Sequence, residues 1–253
     1  LPKLWSFRGI RLKKRVILHQ PGRAEPAFSP QCRRCARLAR YLERVRALYP
    51  GYYARPVPPF GRARARLLVV GLAPGLHGAN RTGRPFTGDH AGLLLLETLH
   101  RYGFATSPVS IGARDGLRLT GCRLTNAVKC LPPANKPLAQ EVRRCNPYLA
   151  AEITALAQRA AILALGKVAH DAVLMALGLE RVRHPFCHGA RHALEHGLTL
   201  FDSYHTSRYN TRTRRLTPQM FRSVVAAIRE HLSCSTSPRS SRACPTSPAS
   251  TAC

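Results

Sequence analysis

Leu67-Leu-Val-Val-Gly71-Leu-Ala-Pro-Gly-Leu-His-Gly-Ala-Asn-Arg-Thr-Gly-Arg-Pro-Phe-Thr-Gly-Asp89 is the stretch whose reading decides the fold. Its first five residues form a continuous apolar run of strand length, the pattern of a strand buried on both faces. The pattern then breaks. Gly71, Gly75, Gly78, Gly83 and Gly88 free the backbone for close approach to a ligand, and no Gly-Lys-Ser/Thr or G-x-G-x-x-G follows, so a triphosphate or dinucleotide loop loses support. Asp89 is the only acid in the loop and stands before an apolar helical pattern over His90 to Tyr102, where an aspartate serves as N-cap. Phe86, alone among glycines, either stacks on a base or plugs the loop onto the core.

Outward from this unit the chain alternates. The spacing predicts a helix over Cys35 to Leu48 with Leu38, Tyr41, Leu42, Val45 and Leu48 on one side. Leu117 to Asn126 is a mixed strand candidate and Leu138 to Arg159 a helix. Ile162 to Gly166 is a second buried strand, with a helix running on to Leu177. Leu198 to Phe201 is a third strand, and Pro218 to His231 a closing helix with proline at its start. Strands alternating with helices predict an α/β domain with a mostly parallel sheet, whose ligand sits beyond the carboxyl ends of the strands. The loops after Gly71, Thr125 and Ser203 are then where chemistry belongs. The expected organisation is a basic arm over 1–28, a folded domain over 29–232 and a Ser/Thr/Pro-rich tail over 233–253.

Forty Lys+Arg against twelve Asp+Glu give a formal charge of +28 over 253 residues. An excess of this size predicts a polyanionic partner, most often nucleic acid. The longest apolar runs, Leu67 to Ala73 and Ala160 to Leu165, fall far short of the roughly 18–20 residues of a membrane span. A cytoplasmic, membrane-free protein is the expectation. Among nine cysteines, Cys32-x2-Cys35 lies at a helix start, and Cys130 and Cys145 flank a proline-rich loop. Four thiolates from two such pairs close a tetrahedral zinc site or hold an iron–sulfur cluster. The neighbouring Arg33, Arg34, Arg143 and Arg144 offset their negative charge.

Three segments carry a resemblance: Gly71 to Asp89; Thr125-Asn-Ala-Val-Lys-Cys-Leu-Pro-Pro-Ala-Asn-Lys-Pro137; and Ser203-Tyr-His-Thr-Ser207 with Asn210-Thr-Arg-Thr-Arg-Arg-Leu-Thr217. In this order they resemble the uracil-DNA glycosylase superfamily, and the long first segment resembles its family 5. The resemblance spans about residues 30–230. It implies a three-layer α/β/α sandwich with a small central, mostly parallel sheet. It also implies excision of uracil, and of other deaminated bases such as hypoxanthine, from DNA. A monomer and a [4Fe–4S] cluster on Cys32, Cys35, Cys130 and Cys145 are further implications. Asp89 is the implied residue for water and the cationic sugar, and His205 the implied donor to uracil O2. Phe86 is implied to stack on the flipped base and Asn126 to bond its Watson–Crick edge, with the backbone around Ala73 and Gly75 lining the pocket.

Arg81, Arg84, Arg208, Arg212, Arg214 and Arg215 lie near these loops and are expected on phosphates. Tyr209 is a candidate wedge into the base stack. Two positions depart from the family pattern: Thr206 stands where His-Pro-Ser is common, and Arg214 where the run Asn-Thr-x-Thr is followed by Gly. A catalytically silent nucleic-acid-binding protein of the same fold is the alternative reading.

Overall fold

The computed structural model describes residues 28–234. In chain order these form α1 (Ala36–Leu48), β1 (Leu67–Gly71), α2 (Ala79–Thr82), α3 (His90–Arg101), β2 (Cys122–Asn126), α4 (Ala139–Thr154), β3 (Ala161–Leu165), α5 (Lys167–Ala176), β4 (Arg191–Ala193), β5 (Thr199–Ser203), α6 (Arg208–Arg212) and α7 (Pro218–Cys234). The expected arm and tail lie outside the described residues, except that Phe28 begins them and Ser233 and Cys234 close α7.

One five-stranded sheet has the order β2-β1-β3-β5-β4. The first four strands are parallel, and β4 runs antiparallel to β5. Alternation along each strand sends side chains to opposite faces. Leu67, Val69, Leu163 and Phe201 join Leu95, Leu96 and Leu99 of α3 and Phe221, Val225 and Ile228 of α7. Leu68, Val70, Ile162 and Leu200 join Leu38 and Leu42 of α1, Leu149 and Ile153 of α4, and Val173 and Leu174 of α5. All residues of β1 and β3 are buried, which is why both strands are apolar without alternation. The expected three-layer α/β/α sandwich is the observed one.

The connection from β1 runs to α3 on one face, and that from β3 to α5 on the other. A crevice therefore opens between the carboxyl ends of these adjacent strands.

Several boundaries differ from the sequence expectation. The strand expected over Leu117 to Asn126 is confined to Cys122–Asn126, because Gly121 turns with φ +60 and Leu119 instead bridges Ala105. The helix expected to run to Arg159 ends at Thr154, where Ala157 N–H bonds Ala65 O and Arg159 takes φ +56 to enter β3. Leu48 is exposed and takes no part in the α1 face. The short β4 has no apolar pattern. It is pinned by buried Asp202 of β5, which binds His170 Nδ1 at 2.8 Å with one oxygen and His192 Nε2 at 3.1 Å with the other.

Candidate active site

The loop after β1 folds back on the strand ends through close contacts that only glycine permits. A Cβ on Gly71 would lie 2.5 Å from Asn126 Oδ1 and 2.6 Å from Phe86 Cζ. One on Gly78 would overlap the Asp89 carboxylate, and one on Gly75 would sit 3.6 Å from Asp89 Oδ2. Gly71, Phe86 and Asn126 thus form one wall, and Gly75, Gly78 and Asp89 another. Phe86 is buried and holds φ +54, an uncommon conformation for an aromatic residue. Its ring is both plug and wall. Ala73 packs against the core on the α1 side of the sheet.

Asp89 caps α3: Oδ1 accepts the Gly92 N–H at 2.9 Å, while Oδ2 faces the glycines. Burial raises its carboxyl above the ordinary aspartate range, against the lowering effect of the Gly92 and Ala91 N–H groups. The cap bond to Gly92 engages Oδ1, while Oδ2 lies beside Gly75 and Gly78.

His205 follows β5 and approaches Gly166, where β3 ends: a Cβ there would lie 3.7 Å from His205 Cβ. Its ring makes no hydrogen bond to the described residues. Burial pushes its pKa down to about 4, so the imidazole is neutral at physiological pH. Asn126 is buried at the end of β2, and its side-chain amide likewise has no hydrogen-bond partner among the described residues. The Asn126 amide, which meets Phe86 beside Gly71, thus keeps its N–H donors and its carbonyl acceptor unspent, and the neutral His205 ring keeps one donor and one acceptor.

Sequence reasoning missed what holds these groups. Thr206, fully buried, donates from Oγ1 to Ala91 O at 2.9 Å, and His90 Nε2 meets Thr211 Oγ1 at 3.0 Å. The His205 segment is thereby docked on the turn that Asp89 caps, and the departure at Thr206 has a structural role. Lys129, 1% exposed, directs its ammonium to Thr125 Oγ1, to Asn126 O at 2.9 Å and to Glu152 Oε1 at 2.6 Å. A buried lysine between hydrophobic residues is a signal that sequence alone contained, but its partners are not local.

Arg208, Arg212 and Arg215 are exposed on and after α6, with Tyr209 71% exposed beside them. The Arg215 guanidinium lies 4.6 Å from the centre of the Tyr204 ring. Arg214 adopts φ +58, the left-handed conformation that the glycine expected at this position would take without strain. Arg84 does not face solvent as expected. It is buried, paired with Asp115 and bonded to Ser110, Gly112 O and Ala113 O.

Cys32, Cys35, Cys130 and Cys145 all line one pocket, together with Arg34, Lys129, Arg144 and Tyr148. All four are free thiols. Burial raises Cys35 and Cys130, and pushes Cys145 up to about 11. The Cys145 sulfur accepts the Lys129 N–H at 3.3 Å, and Cys32 accepts the Tyr148 hydroxyl at 3.4 Å.

Comparison with known proteins agrees with this geometry. Residues 58–229 match the family model for the uracil DNA glycosylase superfamily. The chain is 47% identical over 199 residues to the type-5 uracil-DNA glycosylase of Thermus thermophilus, covering 77% of this chain and 90% of the relative. It is 44% identical over 197 residues to that of Mycobacterium bovis, covering 75% and 74% respectively. It is 41% identical over 198 residues to that of Pyrobaculum aerophilum, covering 77% and 86%. By the family match over residues 58–229 and the 47% identity to a type-5 relative covered to 90%, on a mostly parallel α/β/α fold, this chain belongs to the uracil DNA glycosylase superfamily, within its type-5 family.

Proposed function

We propose that the chain is a DNA repair glycosylase that draws uracil out of the duplex and hydrolyses its N-glycosidic bond. The observation that carries this is the pairing of a desolvated carboxylate, Asp89, with a neutral imidazole free of protein partners, His205, on two loops docked against each other. Breaking the bond places positive charge on the sugar and negative charge on the departing base. Water adds to C1′, its proton passes to Asp89, and the bonding pair leaves with the base nitrogen. The Asp89 charge stabilises the cationic sugar as it forms. A neutral His205 N–H at the base carbonyl stabilises the anion without first losing a proton, as a preorganised donor does. Phe86 supplies the stacking face and Asn126 the edge contact.

Uracil and hypoxanthine present the same lactam edge, a carbonyl beside an N–H. The Asn126 amide offers the complementary donor and acceptor to both, which supports a range extending to deaminated purines. Flipping the base out is the step that exposes this edge, and the exposed arginines serve the phosphates.

Cys32, Cys35, Cys130 and Cys145 would hold a [4Fe–4S] cluster. The four free thiols line one pocket, a donor set suited to a sulfur-ligated metal centre. Arg34 and Arg144 in the same pocket offset its charge, and the Lys129 N–H already donates to Cys145. Such a cluster would cross-link the entry to α1, the loop after β2 and α4, and supplies no step of the hydrolysis.

The test uses labelled duplexes carrying one uracil or one hypoxanthine, followed by alkali. Cleavage at uracil that is lost in Asp89→Asn supports the mechanism. Tight binding without cleavage by wild-type protein favours the silent DNA-binding alternative. Iron and sulfide at about four each per chain, with absorption near 400 nm, are expected, and one zinc per colourless chain would refute the cluster.

A further inference from the structure

The loop between α3 and β2 is built around a buried arginine. The Arg84 guanidinium donates to Ser110 Oγ, to the carbonyls of Gly112 and Ala113 and to Asp115 Oδ1, while Nε reaches Thr87 Oγ1 at 3.0 Å. Asp115 in turn accepts the Ile111 N–H at 3.0 Å. Burial alone would raise the Asp115 carboxyl, but the Arg84 bond with the Leu117, Gly112 and Ser110 donors holds it well below the usual carboxylate range. The loop is also stitched to the first motif: Gly88 N–H bonds Ser110 O at 3.1 Å, and Ser110 Oγ bonds Thr87 Oγ1 at 2.9 Å. Gly88 adjoins Asp89, so this loop forms part of the rim of the active site.

What the rigid loop presents is apolar. Ile111 is 72% exposed and Val109 49%. Exposed apolar residues scattered singly on a surface are ordinary. These two stand instead at the tip of a loop fixed by a fully committed buried cation. Exposed cations in or beside this loop are Arg81, whose guanidinium donates to Gly88 O at 3.4 Å, and Arg114 and Arg118 on the loop itself. An apolar tip flanked by cations and held rigid beside a base pocket is suited to a base stack with phosphates on either side.

We propose that Ile111, supported by Val109, is a wedge that enters the duplex beside the lesion. It would be separate from the exposed Tyr209 after the third motif. The inference rests on the proposed DNA glycosylase reading for its location and commits to duplex DNA as the occupant. Arg84 and Asp115 act as positioning residues that keep the tip extended.

The test compares Ile111→Ser and Ile111→Leu with wild type on a uracil in duplex and in single-stranded DNA. The Ser variant is expected to lose about tenfold in kcat/KM on the duplex and nothing on the single strand, and Leu to retain duplex activity. In parallel, 2-aminopurine is placed next to an uncleavable abasic-site analogue in a duplex. Wild type is expected to raise its fluorescence on binding and Ile111→Ser to leave it low. An unchanged duplex-to-single-strand ratio with an unchanged fluorescence rise in Ile111→Ser overturns the wedge. A wild-type protein that excises no base sinks the glycosylase reading alone, because the fluorescence comparison still decides the wedge.

Discussion

Removing the Lys129 ammonium tests how the end of β2 that carries Asn126 is held. Lys129 and Glu152 are 1% and 8% exposed, and their contact is 2.6 Å. Glu152 Oε2 has no hydrogen-bond partner, so Lys129→Met leaves that carboxyl with no donor at either oxygen. Breaking a buried pair from one side costs about 3–5 kcal/mol, a large part of the roughly 5–15 kcal/mol that holds a domain together. Lys129→Met/Glu152→Met removes the uncompensated charge. It still strips the donor from Thr125 Oγ1 and Asn126 O, worth about 1–3 kcal/mol for a buried group left unbonded. The double variant should therefore recover most of the lost stability in urea denaturation, to within about 1–3 kcal/mol of wild type. If Lys129 also positions Asn126, the stabilised double variant will still show raised KM and reduced kcat on uracil. Full recovery of excision in the double variant would refute the positioning role. A single variant as stable as wild type would refute the energetic account.

Two further outcomes follow from the site's electrostatics and backbone. Because the Asp89 pKa is raised and activity needs the carboxylate, kcat/KM should fall as pH drops through a value above the ordinary aspartate range; His205, neutral above about 4, adds no inflection near neutrality. Asp89→Asn should abolish that acid limb and lower kcat by about 10²–10³-fold while keeping the α3 cap, since asparagine caps as well as aspartate. Arg214→Gly relieves a left-handed residue at φ +58, worth about 1–2 kcal/mol, less about 0.5–1 kcal/mol for glycine's greater freedom when unfolded. Its Tm should rise by a few degrees, and if Arg214 contacts a phosphate, the salt slope of DNA binding should shrink by about one.

Much of the architecture was legible because β1 and β3 are buried on both faces and therefore carry unbroken apolar runs. The strand at Leu67–Gly71 and the helix beginning at His90 fall where that pattern places them. β4 was invisible, since Arg191–Ala193 has no periodicity and owes its place to a carboxylate on another strand. α6 was likewise hidden inside a stretch read for its arginines.

The amino-acid order alone singled out the loops where chemistry is expected, because glycines beside an acid, an amide after an apolar strand and paired cysteines are local signals. The tertiary structure decided the surroundings of those residues. Of the arginines expected on phosphates, Arg208, Arg212, Arg214 and Arg215 stay exposed near Tyr209 in the chain, whereas Arg84 turns inward to build a loop, a difference that composition cannot express. The neutral state of His205 and the raised carboxyl of Asp89 come from burial among residues far apart in the chain. Desolvation depends on what the fold places around a group, and that is known only once the strands have met.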